Sequence, residues 1–344
     1  MSAGYEALAT KAKAIYGKRI GRQELERLAA MRSVDEVLAE LRQLPGWSHA
    51  AEHLPQDALL TRATLEAALR EQIRQEYLSL LAFVPQKDRQ IMEFPILRAA
   101  MDEILAALRH LHASIYKEVE PLPPAFLSHS KVNLEALRRC TTYDGLVEAT
   151  RGSIYHDALE RLRSADGSLP DYGVTEALLG GVYYRHLQTI IRRKYDGDVR
   201  RILERSVGSQ VDMLNLMHIL RMKRYFPQED NYLPVLLPYH YKLKPQMIHA
   251  MCAAPSAEAV LELAEQTPYG RVFDRNCDED LNYLYIDTLY RASRRQLMMG
   301  KPSIYSAVAL MNLREFELKS VVSAVEAAKY QTAQKSSMLD MMDR

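Results

Sequence analysis

The sequence predicts an all-α protein made of three similar helical units, and three observations support this. Apolar residues recur three and four positions apart over most of the chain, as at Leu65, Leu69, Ile73 and Tyr77, which is the spacing of an amphipathic helix. Strand-like alternation is nearly absent, and glycine, which turn-rich β architectures use heavily, accounts for only 14 of 344 residues. The third observation is a set of short motifs that occurs three times in the same order.

The first motif predicts a helix start. Ser33, Thr142 and Ser256 are each followed two residues later by an acid and then by aliphatic residues, and they lie 109 and 114 residues apart. We expect each hydroxyl to cap free backbone N–H groups while the acid complements the positive end of the helix dipole. One aromatic residue follows 13 or 14 positions later, and we expect each ring to pack against the helices of its own unit. These aromatic residues are Trp47, Tyr155 and Tyr269.

The second motif is an acid inside an apolar helix, at Asp102, Asp212 and Glu317, with separations of 110 and 105 residues. Proline-rich stretches at 121–124 and 227–245 interrupt helices between the copies. The sequence therefore predicts three helical repeat domains. Their expected boundaries are 1–115, 116–226 and 227–344, and the polar, methionine-rich residues 331–344 are expected to form a poorly ordered tail.

One string offers catalytic chemistry. His49, Glu52 and His53 fit the HxxEH pattern of inverted zinc peptidases, in which two histidines hold the metal and the glutamate is the base. Pro45 and Pro55 flank the string, so we interpret it as a solvated helix start, and a soluble helical metal-dependent hydrolase stays open as the alternative. We expect no cofactor and no metal. The pair at 180–181, Gly-Gly in an apolar helix, indicates a close helix contact.

Charge is nearly balanced overall but separated along the chain. The formal net charge is +1, which gives no general attraction to nucleic acid. Residues 192–224 hold nine basic residues against four acids, and 256–290 hold eight acids against two basic residues. These stretches are either solvated faces that partly neutralise each other or docking patches for protein partners. The candidate partner-binding residues are Arg221, Lys223, Arg224, Asp278, Glu279 and Asp280.

Cellular context follows from what the sequence lacks. Its three cysteines are isolated, which favours a reducing compartment, and no apolar segment is long enough to span a bilayer. We therefore expect a cytoplasmic protein, or at most one that sits on a membrane through another protein. A helical-repeat scaffold for peptides or RNA is a further alternative, but such repeats run about 20 to 50 residues, far shorter than the period seen here.

Three segments carry a resemblance to a known family. They are residues 12–18 (AKAIYGK) with 33–37 (SVDEV), residues 211–221 (VDMLNLMHILR), and the helix 314–330 with its Phe-Glu pair at 316–317. Over roughly residues 5–330 the chain resembles the C subunit of V-type and A-type rotary ATPases, known as the d subunit in eukaryotes. It departs from the repeat at Leu105 and Ser320, where the second copy has Asn215, and at Trp47, where the other copies have tyrosine.

The resemblance implies a funnel of three helical domains with pseudo-threefold symmetry. It also implies a non-catalytic rotor component of the central stalk in a proton- or sodium-translocating complex, whether that complex makes or hydrolyses ATP. The implied partners are the shaft subunits of D and F type and the membrane proteolipid ring. The protein would be peripheral to the membrane, on its cytoplasmic side.

Overall fold

The computed structural model describes residues 3–52, 54, 60–113, 130–226, 228, 232–270 and 281–330, and of residues 3, 63 and 281–287 only the backbone. Regular structure in these ranges is helical throughout, and no β-strand occurs in them. The predicted all-α class is therefore confirmed.

The long helices alternate with groups of short ones. In chain order the helices are α1 (Ala3–Tyr16), α2 (Arg22–Ala30), α3 (Val34–Gln43), α4 (Ser48–Glu52), α5 (Arg62–Leu81), α6 (Phe94–Ala113), α7 (Leu134–Arg139), α8 (Tyr143–Ala149), α9 (His156–Glu160), α10 (Tyr172–Lys194), α11 (Gly197–Tyr225), α12 (Pro245–Ala253), α13 (Ala257–Glu265), α14 (Leu281–Met299) and α15 (Tyr305–Tyr330). Short 3₁₀ helices lie at Gln86–Asp88, Ile91–Glu93 and Leu233–Val235.

The helices form two compact units. The first contains the described residues of Met1–Met92 and Ile286–Arg344, and the second contains those of Glu93–Tyr285. The division at 1–115, 116–226 and 227–344, together with the funnel and its symmetry, stays a prediction. The expected poor order of residues 331–344 concerns residues that lie outside the described ranges.

In each unit, short helices pack on a long helix. In the first unit α15 is buried along most of its length and contacts α1, α2, α3 and α5. In the second unit α7 and α8 pack on α6, and α12 and α13 pack on α11. Helix α10 lies against α6 and α11. Helices α7, α8, α12 and α13 thus fold back on the long helix that precedes them in sequence. Helices α2 and α3 pack in a similar way on α15, although α15 comes last in the chain.

The predicted helix caps are confirmed. The side-chain hydroxyls of Ser33, Thr142 and Ser256 accept hydrogen bonds from the backbone N–H three residues later, at 3.2, 3.1 and 3.3 Å. These residues begin α3, α8 and α13. Each hydroxyl thereby satisfies one of the backbone donors that a helix start leaves free.

The three predicted aromatic residues are buried, and their polar atoms bond to long helices outside their own predicted units. The Tyr269 hydroxyl donates to Asp212 on α11 (2.7 Å), and the Tyr155 hydroxyl donates to a backbone carbonyl of α6 (2.8 Å). The Trp47 indole N–H donates to Glu317 on α15 (3.0 Å). Tyr269 also belongs to a buried apolar cluster with Val260 and Ala264 of its own predicted unit, but each of the three bonds reaches a helix of another predicted unit. The reason is that each group of short helices folds back on a long helix from another predicted unit.

A buried ionic cluster lies at the centre of the first unit. The Arg314 guanidinium is 0% exposed and donates to both oxygens of Glu76, at 2.7 and 2.9 Å. It also donates to Glu317 (2.8 Å) and to the Gly46 carbonyl (2.8 Å), while its carbon lies 3.9 Å from the centre of the Trp47 ring. The cluster joins α15 to α5 and to the turn before α4.

Hydrogen bonds and charge pairing within the cluster offset the free-energy cost of burying its charged groups. The second oxygen of Glu317 accepts hydrogen bonds from Trp47 and from the Ile20 N–H (2.6 Å), so both carboxylates have donors. Burial raises the pKa of Glu76, and the attraction of Arg314 opposes that rise. Removing one partner from such a group typically destabilises a protein by about 3 to 5 kcal/mol, because a charge is left buried without compensation.

Replacing Trp47 with alanine is expected to lower the free energy of unfolding by about 3 to 5 kcal/mol, because the change opens a cavity and removes one donor from Glu317. Truncating Tyr155 or Tyr269 in the same way should cost a similar amount. Trp47→Phe is the matched control, since it keeps a ring over Arg314 and should cost about 1 to 3 kcal/mol. Denaturant unfolding measures all four variants, and an alanine variant as stable as the parent would contradict the anchoring role.

Candidate partner-binding surface

The predicted basic residues lie at the end of α11, in the second unit. Arg221 and Arg224 are exposed, and Lys223 is partly buried with its ammonium 4.7 Å from the centre of a tyrosine ring. Two large apolar side chains follow directly, Tyr225 at 72% exposure and Phe226 at 57%. We call these five residues the α11 end surface. Arginine and aromatic side chains are the types that contribute most to protein–protein binding.

One acid of the predicted acidic stretch lies close to this surface. Glu258, in the first turn of α13, is exposed. A hydrogen bond from Ser256 lowers the pKa of Glu258, and the charge of Arg224 adds to the effect. Asp278, Glu279 and Asp280 lie outside the described residues. Mutual neutralisation and docking therefore both stay open as interpretations of the two charged stretches.

A buried carboxylate fixes the chain that leads into α12. Asp212 is 0% exposed on α11, and its Oδ1 accepts the Tyr241 N–H at 2.7 Å. Its Oδ2 accepts the N–H groups of Lys242 (2.6 Å) and Leu243 (3.0 Å) and the hydroxyl of Tyr269 (2.7 Å). Four donors on one carboxylate offset the cost of burying its charge.

Asn215, three residues further along α11, holds the same segment by its side-chain amide. Its oxygen accepts the Leu237 N–H at 2.8 Å, and its nitrogen donates to the carbonyls of Leu237 and Tyr239, both at 3.0 Å. Asp212 and Asn215 thus fix residues 237–243 on α11. This positions the chain immediately before α12.

The same segment packs closely against the Gly180–Gly181 pair of α10. A Cβ atom on Gly180 would lie 2.7 Å from the Leu237 side chain, and one on Gly181 would lie 2.9 Å from the Pro238 ring. A Cβ on Gly208 would lie 2.5 Å from the Tyr241 side chain. The close contact expected from the sequence is present, but its partner is the irregular segment before α12 and not a helix.

The three repeated acids do not have the same surroundings. Asp102 is exposed and pairs with Arg98 at 3.4 Å, whereas Asp212 and Glu317 are buried. Asp212 lies 57 residues before Tyr269. The residue at that distance before Tyr155 is Arg98, one helical turn before Asp102.

The positions that correspond to Asn215 also differ. Leu105 is buried and apolar, and the Ser320 hydroxyl donates to a carbonyl of its own helix at 3.3 Å. The backbone-clamping amide is therefore specific to α11 among the three positions.

The alternative hydrolase site gains no support. His49 and Glu52 are exposed on the five-residue helix α4, and His53 lies outside the described residues. Within the described part of the chain, no group of three or more His, Cys, Asp or Glu side chains could hold a metal ion. None of the described helices has the length and apolar character needed to cross a bilayer.

Sequence reasoning missed two features. It did not single out Tyr225 and Phe226, although they stand between a basic run and Pro227, where a helix must end and an apolar pair has little core to enter. It also missed the pairing of Arg314 with Glu76, because residues 238 positions apart give no local signal.

Asp212→Asn is expected to lower the free energy of unfolding by about 2 to 4 kcal/mol, because its NH₂ group would face the N–H groups that the carboxylate now accepts. Asn215→Asp is the matched variant, in which an oxygen would face two carbonyl oxygens. Limited digestion with trypsin, which can cleave after Lys242 but not after Lys244 because Pro245 follows it, should be faster in both variants. Cleavage at the parent rate would show that these side chains do not hold the segment.

His218, partly buried on α11, should make stability depend on pH. It faces Glu176 on α10, Arg221 on α11 and the backbone of Val235, and burial lowers its pKa from the ordinary value of about 6.5. Below that value the unfolded chain binds a proton that the folded chain rejects, so stability is lost as the pH falls. His218→Gln should remove this part of the loss in pH-dependent denaturation, and exposed His112→Gln should not. Identical pH profiles for parent and His218→Gln would contradict the assignment.

The sequence matches the protein family described as "ATP synthase (C/AC39) subunit" over residues 8–339. Three proteins, each named as the C subunit of an A-type ATP synthase, are similar to the chain. The one from Methanosphaera stadtmanae is 21% identical over 348 residues, covering 96% of this chain and 86% of the relative. The one from Methanobrevibacter smithii is 22% identical and covers 95% and 84%, and the one from Methanothermobacter thermautotrophicus is 20% identical and covers 90% and 80%.

The family match extends over both compact units, from within α1 to beyond the end of α15. It therefore includes the buried Arg314 cluster, the Asp212 anchor and the α11 end surface. The chain belongs to the ATP synthase (C/AC39) subunit family.

Proposed function

We propose that this chain is a central-stalk rotor component of a V/A-type proton- or sodium-translocating ATPase, connecting the shaft to the membrane proteolipid ring. The observation that carries the proposal is the family match over residues 8–339, supported by relatives named as the C subunit of an A-type ATP synthase. Its proposed partners are the shaft subunits of D and F type and the ring.

The packing supports a role in transmitting torque. A part that transmits torque must resist shear between its helices, and closely packed interiors transmit strain well. In the first unit, directional bonds from Arg314 tie α15 to α5 and to the turn before α4. In the second, Asp212 and Asn215 tie the chain entering α12 to α11. Directional bonds of this kind fix the register of neighbouring elements, which apolar packing alone does less strictly.

In this proposal the chain is not itself catalytic, and its contribution is binding. The exposure of His49 and Glu52 on a five-residue helix fits that role, because a hydrolytic metal site needs ligands held rigidly in a partly closed pocket. The α11 end surface supplies two exposed arginines and two exposed aromatic side chains suited to an acidic partner with an apolar component.

Reversing Arg221, Lys223 and Arg224 to glutamate should weaken association with the partner that binds the α11 end surface by about tenfold or more at low salt, and by less at high salt, because exposed charges are screened. The matched control is the triple reversal of Arg192, Arg193 and Lys194, which are exposed in the last turn of α10. It changes the charge equally at another helix end of the same unit. Binding of purified shaft subunits and of detergent-solubilised ring is measured separately.

Two results would contradict different parts of the proposal. Equal binding by the parent and the α11 variant would remove this surface from the interface. Purification of the rotary ATPase from the same cells without this chain would overturn the rotor assignment itself. Circular dichroism of both triple variants checks that the helical fold is retained.

A further inference from the structure

Two helix ends of the first unit lie together where α15 begins. Helix α5 runs antiparallel to α15, since Arg62 pairs with Glu326 near the far end and Glu76 pairs with Arg314. Helix α14 is also antiparallel to α15, because Ser293 is bonded by Asn312 at 3.4 Å and the Tyr290 ring contacts Phe316. The turns that follow α5 and α14, residues 82–92 and 300–304, therefore reach the same end of the unit.

This end, which we call the hairpin end, is basic and apolar. Its exposed basic residues are Lys87, Arg89, Arg295 and Lys301. Its large exposed apolar residues are Phe83 at 40%, Met298 at 50% and Met299 at 84% exposure.

Acids are nearly absent from it. In residues 82–92 and 291–304 the one acid is Asp88, which is buried and accepts a hydrogen bond from the Tyr5 hydroxyl at 2.5 Å, and the exposed Glu93 follows directly before α6. Helix α1 begins beside Pro85 and brings one exposed carboxylate, that of Glu6. Four exposed positive charges thus face two exposed negative charges, in a chain whose overall net charge is only +1.

The combination matches the interfacial region of a membrane. Anionic headgroups attract lysine and arginine, and the boundary below them accepts apolar side chains. Methionine is flexible and polarisable, so Met298 and Met299 can adapt to an irregular environment. These residues stand at or beside the turns that end α5 and α14, and such a turn can enter a headgroup layer without needing a matching pocket.

We propose that the hairpin end binds anionic lipid headgroups directly. The location of this contact in the cell rests on the proposed function, which brings the chain to the membrane face of a rotary complex. Vesicle binding by the isolated chain does not rest on it, so the two proposals can fail separately. Direct lipid contact goes beyond attachment through the proteolipid ring.

The test is co-sedimentation of the full chain with two kinds of vesicle, phosphatidylcholine alone and equal parts of phosphatidylcholine and phosphatidylglycerol. We expect sedimentation with the anionic vesicles only, reversed by added salt. Neutralising Lys87, Arg89, Arg295 and Lys301 to glutamine should lower the partition coefficient about fivefold for each residue changed. Changing Met298 and Met299 to serine should lower it severalfold at unchanged charge.

The control variant neutralises Arg192, Arg193, Lys194 and Arg201, which are equally charged and exposed but belong to the second unit. It should bind like the parent. No preference of the parent for anionic vesicles would overturn the proposal, as would equal loss in the control variant. A parent that ignores vesicles but loses shaft binding on neutralisation of the hairpin end would assign this end to an acidic protein partner instead.

Discussion

The structure depends on a buried carboxylate that projects from a long helix and holds the backbone leading into the next short helices. Glu317 does this for Ile20 and Trp47, and Asp212 does it for residues 241–243 and Tyr269. The short helices concerned have about ten residues or fewer and would not be stable alone in water. Each carboxylate thus converts a marginal helix into part of a core, and the packing of the rest follows from where it holds the chain.

The local features of the fold could be predicted from the sequence, and the distant ones could not. Ser33, Thr142 and Ser256 were recognisable as caps because a cap acts on residues three positions away. The periodicity also identified Asp212 and Glu317. It also marked Asp102, whose surroundings differ because it is exposed and pairs with Arg98. Arg314 and Glu76 give no sequence signal for their pairing, since it depends on helix packing.

Only part of the candidate surface could be predicted from the sequence. Charge counting located Arg221, Lys223 and Arg224, because basic residues clustered in sequence stay clustered on one helix end. It could not show that Tyr225 and Phe226 would be exposed, since apolar residues are ordinarily assigned to a core. Nor could it show that Asn215 clamps a segment more than twenty residues away. Side chains that act on distant backbone are recognisable only when the fold brings the two together.

The packing of the first helices on α15 sets an order of events during synthesis. Ile20 and Glu317 are 297 residues apart, and Trp47 and Glu317 are 270 apart. Helices α1–α5 therefore leave the ribosome long before the helix that completes their core. Contacts of such high sequence separation slow folding, and the apolar faces of these helices stay open to wrong partners meanwhile. The late translation of α15 thus makes the first unit the part of the chain most exposed to misfolding during synthesis.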